Sequence, residues 1–176
     1  MWAALIIGYV KSGLVVAARK LFDQMPLKNT VSWSAMITRY AQVGLFKEAL
    51  ELFNDMQVSG FWPNHAGIVG ALTVCAFLGA LDQGRWIQAY VDINGMELDR
   101  VMGTTHIDMY AKCESIDTAR SVFDEVSNIN RDVYAFSSLI SGLANPGQSR
   151  SVIELFVRMK NEGVFPMCKV RAVEWG

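Results

Sequence analysis

Apolar and polar residues alternate along the chain with the period of an α-helix, in short segments that end at glycines or polar residues. One such segment ends just before Gly44, a residue type that commonly terminates a helix. Its apolar stripe consists of Trp33, Met36, Ile37, Tyr40 and Ala41. A second helical segment follows, with an apolar face made of Ala49, Leu52, Phe53 and Met56. The pattern therefore predicts two consecutive helices.

This two-helix pattern repeats along the chain. One column of equivalent positions has spacings of 31, 35, 35 and 33 residues and consists of Tyr9, Tyr40, Cys75, Tyr110 and Leu143. A second column has the same four spacings and consists of Ala18, Ala49, Gly84, Ala119 and Val152. Two independent columns with identical spacings predict a repeat array over residues 1–167. Its five units are 1–29, 30–64, 65–99, 100–132 and 133–167, followed by a non-repeat tail at 168–176.

Each predicted helix is short and half apolar, so neither helix of a unit is stable alone. Stacking of neighbouring units buries the apolar faces against one another. The sequence therefore predicts an all-α fold, an α-solenoid of about five helix-turn-helix repeats of which the first is truncated. The 52% hydrophobic content then belongs to the interfaces between units.

Composition and charge exclude several classes of protein. With a net charge of −1, the protein is not expected to be a polycation that binds nucleic acid through electrostatic attraction to phosphates alone. Three cysteines without a C-x-x-C pair favour a reduced compartment over a disulfide scaffold. The longest uncharged apolar run, residues 66–81, is shorter than the roughly 20 residues of a membrane span. We expect no membrane contact.

The face opposite the apolar stripe carries small polar residues four positions apart in three units. The stripes are Ser34, Thr38 and Gln42; Thr104, Asp108 and Lys112; and Ser137, Ser141 and Asn145. One interpretation is a solvated helix face. The other is a row of hydrogen-bonding groups on a concave surface, which suits a flat, single-stranded ligand.

The motifs of an enzyme are missing from the sequence. His106-Ile107-Asp108 is not the H-x-E of a zinc deaminase, and no cysteine pair accompanies it. His106 occupies a position that is apolar in the other units, which favours a structural histidine over a ligand or catalyst. We expect no enzymatic activity, no metal and no cofactor.

The sequence resembles the pentatricopeptide repeat proteins, specifically the plant type that mixes units of unequal length. Four segments carry the resemblance: 31–64, 71–91, 108–126 and 136–166. It implies a right-handed solenoid that binds single-stranded RNA, with one base per unit read by two or three side chains. It also implies a monomer that acts in a mitochondrion or chloroplast. There it would belong to an RNA-processing or RNA-editing factor, working with separate editing or processing proteins.

In this family the fifth and last residues of each unit read the base. Ser34 with Asn64 resembles an adenine reader, and Thr104 with Asp132 resembles a guanine reader, because a carboxylate accepts from the N–H groups of guanine. Three further pairs have no clear reading: Ala3 with Asn29, Val69 with Asp99, and Ser137 with Met167. The residues expected to pack beside bases are Val31, Ala66, Val101 and Tyr134. Lys11 and Lys112 are expected to contact phosphates, with solvated lysines as the alternative.

The sequence departs from the family pattern at several positions. Met1 falls at the third position of its unit, Glu114 replaces the turn glycine, and residues 127–130 are extra. We expect a piece of a longer protein or a truncated product. With about 1–3 kcal/mol per stacked base, two readable units predict weak binding by this piece. A protein-binding scaffold and a product without independent function are the alternatives, although the polar stripes favour RNA over a peptide groove.

Overall fold

The computed structural model describes residues 2–126, 131–143 and 149–165, with only the backbone of Ser149. In these ranges the chain forms ten α-helices and no β-strand, which confirms the all-α prediction. The helices are α1 (Trp2–Lys11), α2 (Val15–Gln24), α3 (Thr30–Gln42), α4 (Phe46–Val58), α5 (His65–Leu78), α6 (Leu81–Ile93), α7 (Arg100–Lys112), α8 (Ile116–Glu125), α9 (Val133–Gly142) and α10 (Ser149–Asn161).

The helices stack in one direction as consecutive pairs. The first helices of neighbouring pairs pack on each other, α1 on α3, α3 on α5, α5 on α7 and α7 on α9. Each second helix packs on its own partner, and α2, α4, α6 and α8 also pack against the first helix of the next pair. The main helix–helix contacts of the described residues thus lie within a pair or between neighbouring pairs, which is the defining property of a solenoid. The first helices form one layer and the second helices the other.

In the first four pairs, the turn between the two helices is a helix C-terminal motif that includes a left-handed residue. After α3, the N–H of Leu45 donates to the carbonyl of Tyr40 at 2.9 Å, and Gly44 has a φ of 80°. The same bond joins Ser115 to the carbonyl of Tyr110 at 2.9 Å after α7. Here the left-handed position is held by Glu114, with a φ of 59°, so the expected departure from glycine is accommodated with backbone strain.

The core is a continuous layer between the stacked helices, and aromatic side chains join successive pairs. Phe22 of α2 packs edge-on against Trp33 of α3, with ring centroids 4.7 Å apart. Phe123 of α8 packs in the same way against Phe136 of α9, at 4.8 Å. Because these contacts recur at equivalent positions, the apolar residues stabilise the junctions between units, as the repeat pattern predicts.

A buried ion pair links the last two helix pairs. Arg131 has a side chain only 4% exposed, and its guanidinium donates to Glu162 at 2.9 Å. The same group donates to the carbonyls of Phe123 and Asp124. Arg158 also donates to Glu162, at 2.9 Å, and to Asp124 at 2.7 Å. The charges are therefore partnered on several sides, as burial of ions requires.

Two observations bear on the remaining expectations. His106 is fully buried in α7, as expected of a structural histidine, and its Nδ1 lies 2.9 Å from the carbonyl oxygen of Met102. Among the helices of the described residues, none has both the length and the apolar character needed to span a membrane.

Candidate nucleic-acid interface

The last residue of each predicted unit caps the first helix of the next. Asn29 precedes α3, Asn64 precedes α5, Asp99 precedes α7 and Asp132 precedes α9. In each case a side-chain oxygen accepts hydrogen bonds from backbone N–H groups in the first turn, at 2.8–3.0 Å. Asparagine and aspartate are preferred at this position for that reason. The cap gives these residue types a structural role and fixes where their side chains stand.

Capping uses one polar atom of each side chain, and the second atom differs between units. The amide nitrogen of Asn64 and the second carboxylate oxygen of Asp132 make no hydrogen bond to the residues that the structure describes. The second oxygen of Asp99 lies 3.0 Å from Nε2 of His65, the first residue of α5. Asn64 and Asp132 therefore keep a free polar atom where Asp99 does not.

The fifth residues of the units have different surroundings. Thr104 is half-buried and its hydroxyl donates to Asp132 at 3.4 Å, so the two members of this predicted pair meet. Ser137 is exposed and its hydroxyl donates to the carbonyl of Val133 at 2.6 Å. Val69 and Ala3 are half-buried and offer no side-chain hydrogen bond.

Ser34 departs from the expectation of a solvent-facing polar stripe, because it is only 2% exposed. Its hydroxyl oxygen is buried and has no hydrogen-bond partner among the described residues. The cause is the close approach of α5: a Cβ atom on Gly67 would lie 2.7 Å from the Ser34 oxygen. Glycine at this position lets the two helices meet over the serine. Of the other members of the stripe, Thr38 is half-buried and Gln42 is exposed.

Two grooves lie at equivalent positions of the stack. The first, about 420 Å³ in volume, is bordered by α1, α3 and the start of α5. Its lining includes Lys11, Val31, Ser34, Asn64 and Ala66, which are all sequence-predicted site residues. The second, about 300 Å³, lies between α7 and α9 and includes Lys112, Tyr134 and Ser137. The fold therefore brings the predicted adenine reader together with a flanking apolar residue and a cation.

The residues predicted to pack beside bases all lie in the first turn of a first helix and are exposed: Val31, Ala66, Val101 and Tyr134. Val31 and Val101 are 47% and 53% exposed, although both are apolar. Exposed apolar groups at a fixed position of successive helices provide surfaces against which flat rings can pack.

The two predicted phosphate contacts are not equivalent. Lys11 is exposed at the end of α1 and lines the first groove. Lys112 donates to Asp108 of its own helix at 2.8 Å, and its ammonium lies 4.6 Å from the ring centroid of Phe77. The Lys112 charge is therefore partly neutralised, and its side chain is held on an aromatic ring.

Three features of the molecule were missed by reasoning from the sequence. The caps carry a recognisable signal, an Asn or Asp directly before an apolar helical pattern. His65 and Asp99 are the first and last residues of the third unit, so the repeat register places them at the starts of two neighbouring first helices, α5 and α7. A cluster of parallel rings on the layer of second helices, formed by Trp62, Trp86 and Tyr90, follows no such rule. Met167 and the tail at 168–176 lie outside the described residues.

The titratable groups give no sign of a reactive centre in the part of the chain that the structure describes. Burial raises the pKa of the Cys75 thiol to about 12, which disfavours its thiolate. Burial also lowers the pKa of His106 and thereby favours its neutral form. Within the described ranges, no three His, Cys, Asp or Glu side chains cluster as a metal site would require.

The fold and the repeated capped positions define a helical-repeat protein with one row of equivalent positions along its stacked first helices. The family model described as PPR repeat matches residues 1–29 and 31–61, and the one described as pentatricopeptide repeat domain matches residues 121–168. The chain belongs to the pentatricopeptide repeat family.

Relatives in Arabidopsis thaliana support this assignment. The chain is 44% identical over 166 residues to pentatricopeptide repeat-containing protein At5g48910, covering 94% of this chain and 25% of that protein. It is 38% identical over 165 residues to pentatricopeptide repeat-containing protein At1g08070, chloroplastic, covering 93% and 22%. The chain thus spans about a quarter of the length of these relatives.

Solved structures share the fold. The crystal structure of the pentatricopeptide repeat protein PPR10 in complex with an 18-nt psaJ RNA element matches with a TM-score of 0.75 and 18% identity, over 93% of this chain and 25% of that one. PPR10 from maize matches with a TM-score of 0.67 and 23% identity, over 94% and 24%. This likeness confirms the predicted solenoid.

Proposed function

We propose that this chain binds single-stranded RNA in a sequence-specific manner, with one nucleotide facing each unit. The observation that carries the proposal is the first groove, where Val31, Ser34 and Asn64 line one surface. The Ser34 hydroxyl is covered by α5 and is only 2% exposed, so Val31 and Asn64 form the more accessible part of this surface. The RNA-bound PPR10 shares the fold, which supports RNA as the ligand class.

The chemistry of the polar groups gives each unit its base preference. In the second unit, Asn64 keeps an amide N–H₂ group that can donate to the ring nitrogen of adenine. In the fourth unit, Asp132 keeps a carboxylate oxygen that can accept from the N–H groups of guanine. The preferred RNA therefore contains an adenine and a guanine separated by one nucleotide.

Binding to short single-stranded RNAs tests this function. Fluorescence anisotropy at low salt compares oligonucleotides that carry adenine and guanine one nucleotide apart, in both 5′-to-3′ orders, with oligonucleotides in which either base is replaced. Low salt is needed because the chain has a net charge of −1 and phosphate contacts weaken with salt. Equal affinity for all sequences, or no binding to any, would contradict the proposal.

We place this activity in an organellar RNA-processing or RNA-editing factor, in a chloroplast or mitochondrion, with catalysis supplied by a separate protein. A relative named as chloroplastic and 38% identical supports the location. Immunodetection in purified organelles tests the location. Sequencing of RNA crosslinked to the native protein, compared with transcripts from a knockout, tests the role. Bound transcripts whose editing and end-processing are unchanged in the knockout would contradict it.

The alternative function is a protein-binding scaffold, and one surface favours it. Trp62, Trp86 and Tyr90 have nearly parallel rings and border an exposed hollow of about 450 Å³ together with Ile93. Exposed aromatic groups of this kind are enriched at protein interfaces. Trp62→Ala separates the two functions, because Trp62 does not line either groove: it would reduce protein capture and leave RNA affinity unchanged.

A further inference from the structure

We propose that His65 is a specificity-determining residue that silences the third unit, by occupying the oxygen of Asp99 that a base would otherwise use. The proposal rests on the RNA-binding function proposed above. It concerns the nucleotide that lies between the predicted adenine and guanine positions.

Both carboxylate oxygens of Asp99 are engaged. One accepts from the N–H of Met102 at 2.8 Å and caps α7, and the other lies 3.0 Å from Nε2 of His65. Because a carboxylate is only an acceptor, the imidazole must donate its Nε2–H in this contact. These hydrogen bonds lower the pKa of Asp99, with that from Met102 as the larger cause, so the group stays ionised and keeps its need for donors.

The fourth unit, which has no histidine at this position, shows how the aspartate carboxylate is arranged when no histidine contacts it. Asp132 uses one oxygen to cap α9 and to accept from Thr104, and the described residues leave its second oxygen without a hydrogen bond. Asp99 and Asp132 therefore stand at the same position with the same cap and differ in the state of the second oxygen. The position of His65 is held by Arg100 in the fourth unit.

The rest of the third unit cannot compensate. Its fifth residue is Val69, which is half-buried and has no polar side-chain atom. The flanking residues Ala66 and Val101 are exposed and apolar, and they offer packing surfaces that suit every base alike. With the Asp99 oxygen occupied, the unit accommodates a nucleotide without selecting it.

The contact between His65 and Asp99 contributes little to the free energy of folding. The side chains of His65 and Asp99 are 46% and 52% exposed, and ion pairs at such positions contribute little to folding. The helix cap involves the other oxygen of Asp99 and remains when His65 is replaced. A variant at His65 is thus expected to fold normally and to report on base selection.

The test uses four RNAs that differ only at the nucleotide between the adenine and guanine positions. Wild type is expected to bind the four with dissociation constants within about threefold. His65→Ala frees the Asp99 oxygen and should then favour guanine about tenfold over adenine, as at Asp132. The double variant His65→Ala/Asp99→Asn keeps the cap and should lose this guanine preference. Thr30→Ala, the same position in the second unit, serves as the matched control and should leave preference at this nucleotide unchanged.

Two results would overturn the proposal while the RNA-binding function stands. One is a His65→Ala protein that still binds the four RNAs equally while adenine and guanine remain selected at the flanking positions. The other is a wild-type protein that already selects guanine at the middle nucleotide. A wild-type chain that binds none of the RNAs would instead overturn the RNA-binding function and the proposal with it.

Discussion

The hydroxyl of Thr104 donates a 3.4 Å hydrogen bond to the carboxylate of Asp132, across the junction between two helix pairs. The two residues lie 28 positions apart in the sequence, yet they are the two members of the predicted guanine reader. The carboxylate oxygen that accepts this bond also caps α9. The capping oxygen and the oxygen proposed to read a base are thus different atoms of one side chain, so a substitution that keeps the cap can test base reading alone.

Asp132→Asn should change the base preference of the fourth unit without weakening the fold. Asparagine caps helices about as well as aspartate, so stability should change by less than about 0.5 kcal/mol. The free atom becomes an N–H₂ donor in place of an acceptor. We expect preference to move from guanine toward adenine by about 1–3 kcal/mol of discrimination, measured by anisotropy with paired RNAs. Detectable binding with an unchanged preference would show that the register is wrong.

Asn64→Asp is the reverse exchange in the second unit. The cap on α5 remains, while the free amide group of Asn64 becomes an oxygen that accepts from guanine. Preference should move from adenine toward guanine by a similar amount, about 1–3 kcal/mol. Asn29→Asp is the matched control, since it changes a cap in the unit whose fifth residue is Ala3. If the Asn29→Asp control also gained preference for guanine at the nucleotide that faces the second unit, the assignment of Asn64 would be contradicted.

Glu114→Gly should stabilise the protein. Glu114 adopts a φ of 59° in a turn where three equivalent positions are held by glycine: Gly13, Gly44 and Gly79. The left-handed conformation costs a residue with a Cβ about 1–2 kcal/mol, part of which glycine loses again through unfolded-chain entropy. We expect a gain of about 0.5–1 kcal/mol in urea unfolding followed by circular dichroism.

The control for this turn is Gly44→Ala, which places a Cβ at a φ of 80° with no steric neighbour within 4 Å. It should lower the free energy of unfolding by about 1 kcal/mol through backbone strain alone. Equal stability of both variants and wild type would mean that the turn tolerates either residue.

The repeat register predicted much of this structure because local patterns determine it. The strained turn at Glu114 and the buried His106 follow from comparing one unit with the next. The burial of Ser34 does not, because it depends on how closely Gly67 of another helix approaches. The pairing of Lys112 with Asp108 and Phe77 likewise depends on side-chain conformations that the spacing of residues does not determine.

Because His106 is buried, we expect the protein to lose folding stability in mild acid. Burial lowers its pKa in the folded state below the ordinary value of 6.5, and hydrogen bonding to Met102 only partly opposes this. Between the two pKa values the unfolded chain binds more protons than the folded one, so stability rises with increasing pH across this interval. It is therefore full above pH 6.5 and declines as pH falls from there toward the folded-state pKa. The measurement is urea unfolding at pH 7.5 and 5.5.

His106→Leu removes the titrating group and should reduce the difference in stability between these two pH values. Leucine occupies the equivalent position in α1 and α9, at Leu5 and Leu139, so the side chain suits the fold. His65→Ala is the control because His65 is the other of two histidines in the chain and is largely exposed. A pH dependence that persists in the His106 variant and disappears in the His65 variant would contradict the assignment.

The buried contact between Arg131 and Glu162 should contribute more to stability than the exposed ion pair between Arg150 and Glu154 of α10. Glu162→Ala removes a carboxylate to which the guanidinium of Arg131 donates, in a side chain that is 4% exposed, and breaking a buried pair costs about 3–5 kcal/mol. Glu154→Ala removes a carboxylate that pairs with Arg150 on the same helix, where the two side chains are 63% and 93% exposed. This control should lose less than about 1 kcal/mol. Urea unfolding of both variants checks the ranking, and a Glu162 variant no less stable than the Glu154 variant would contradict it.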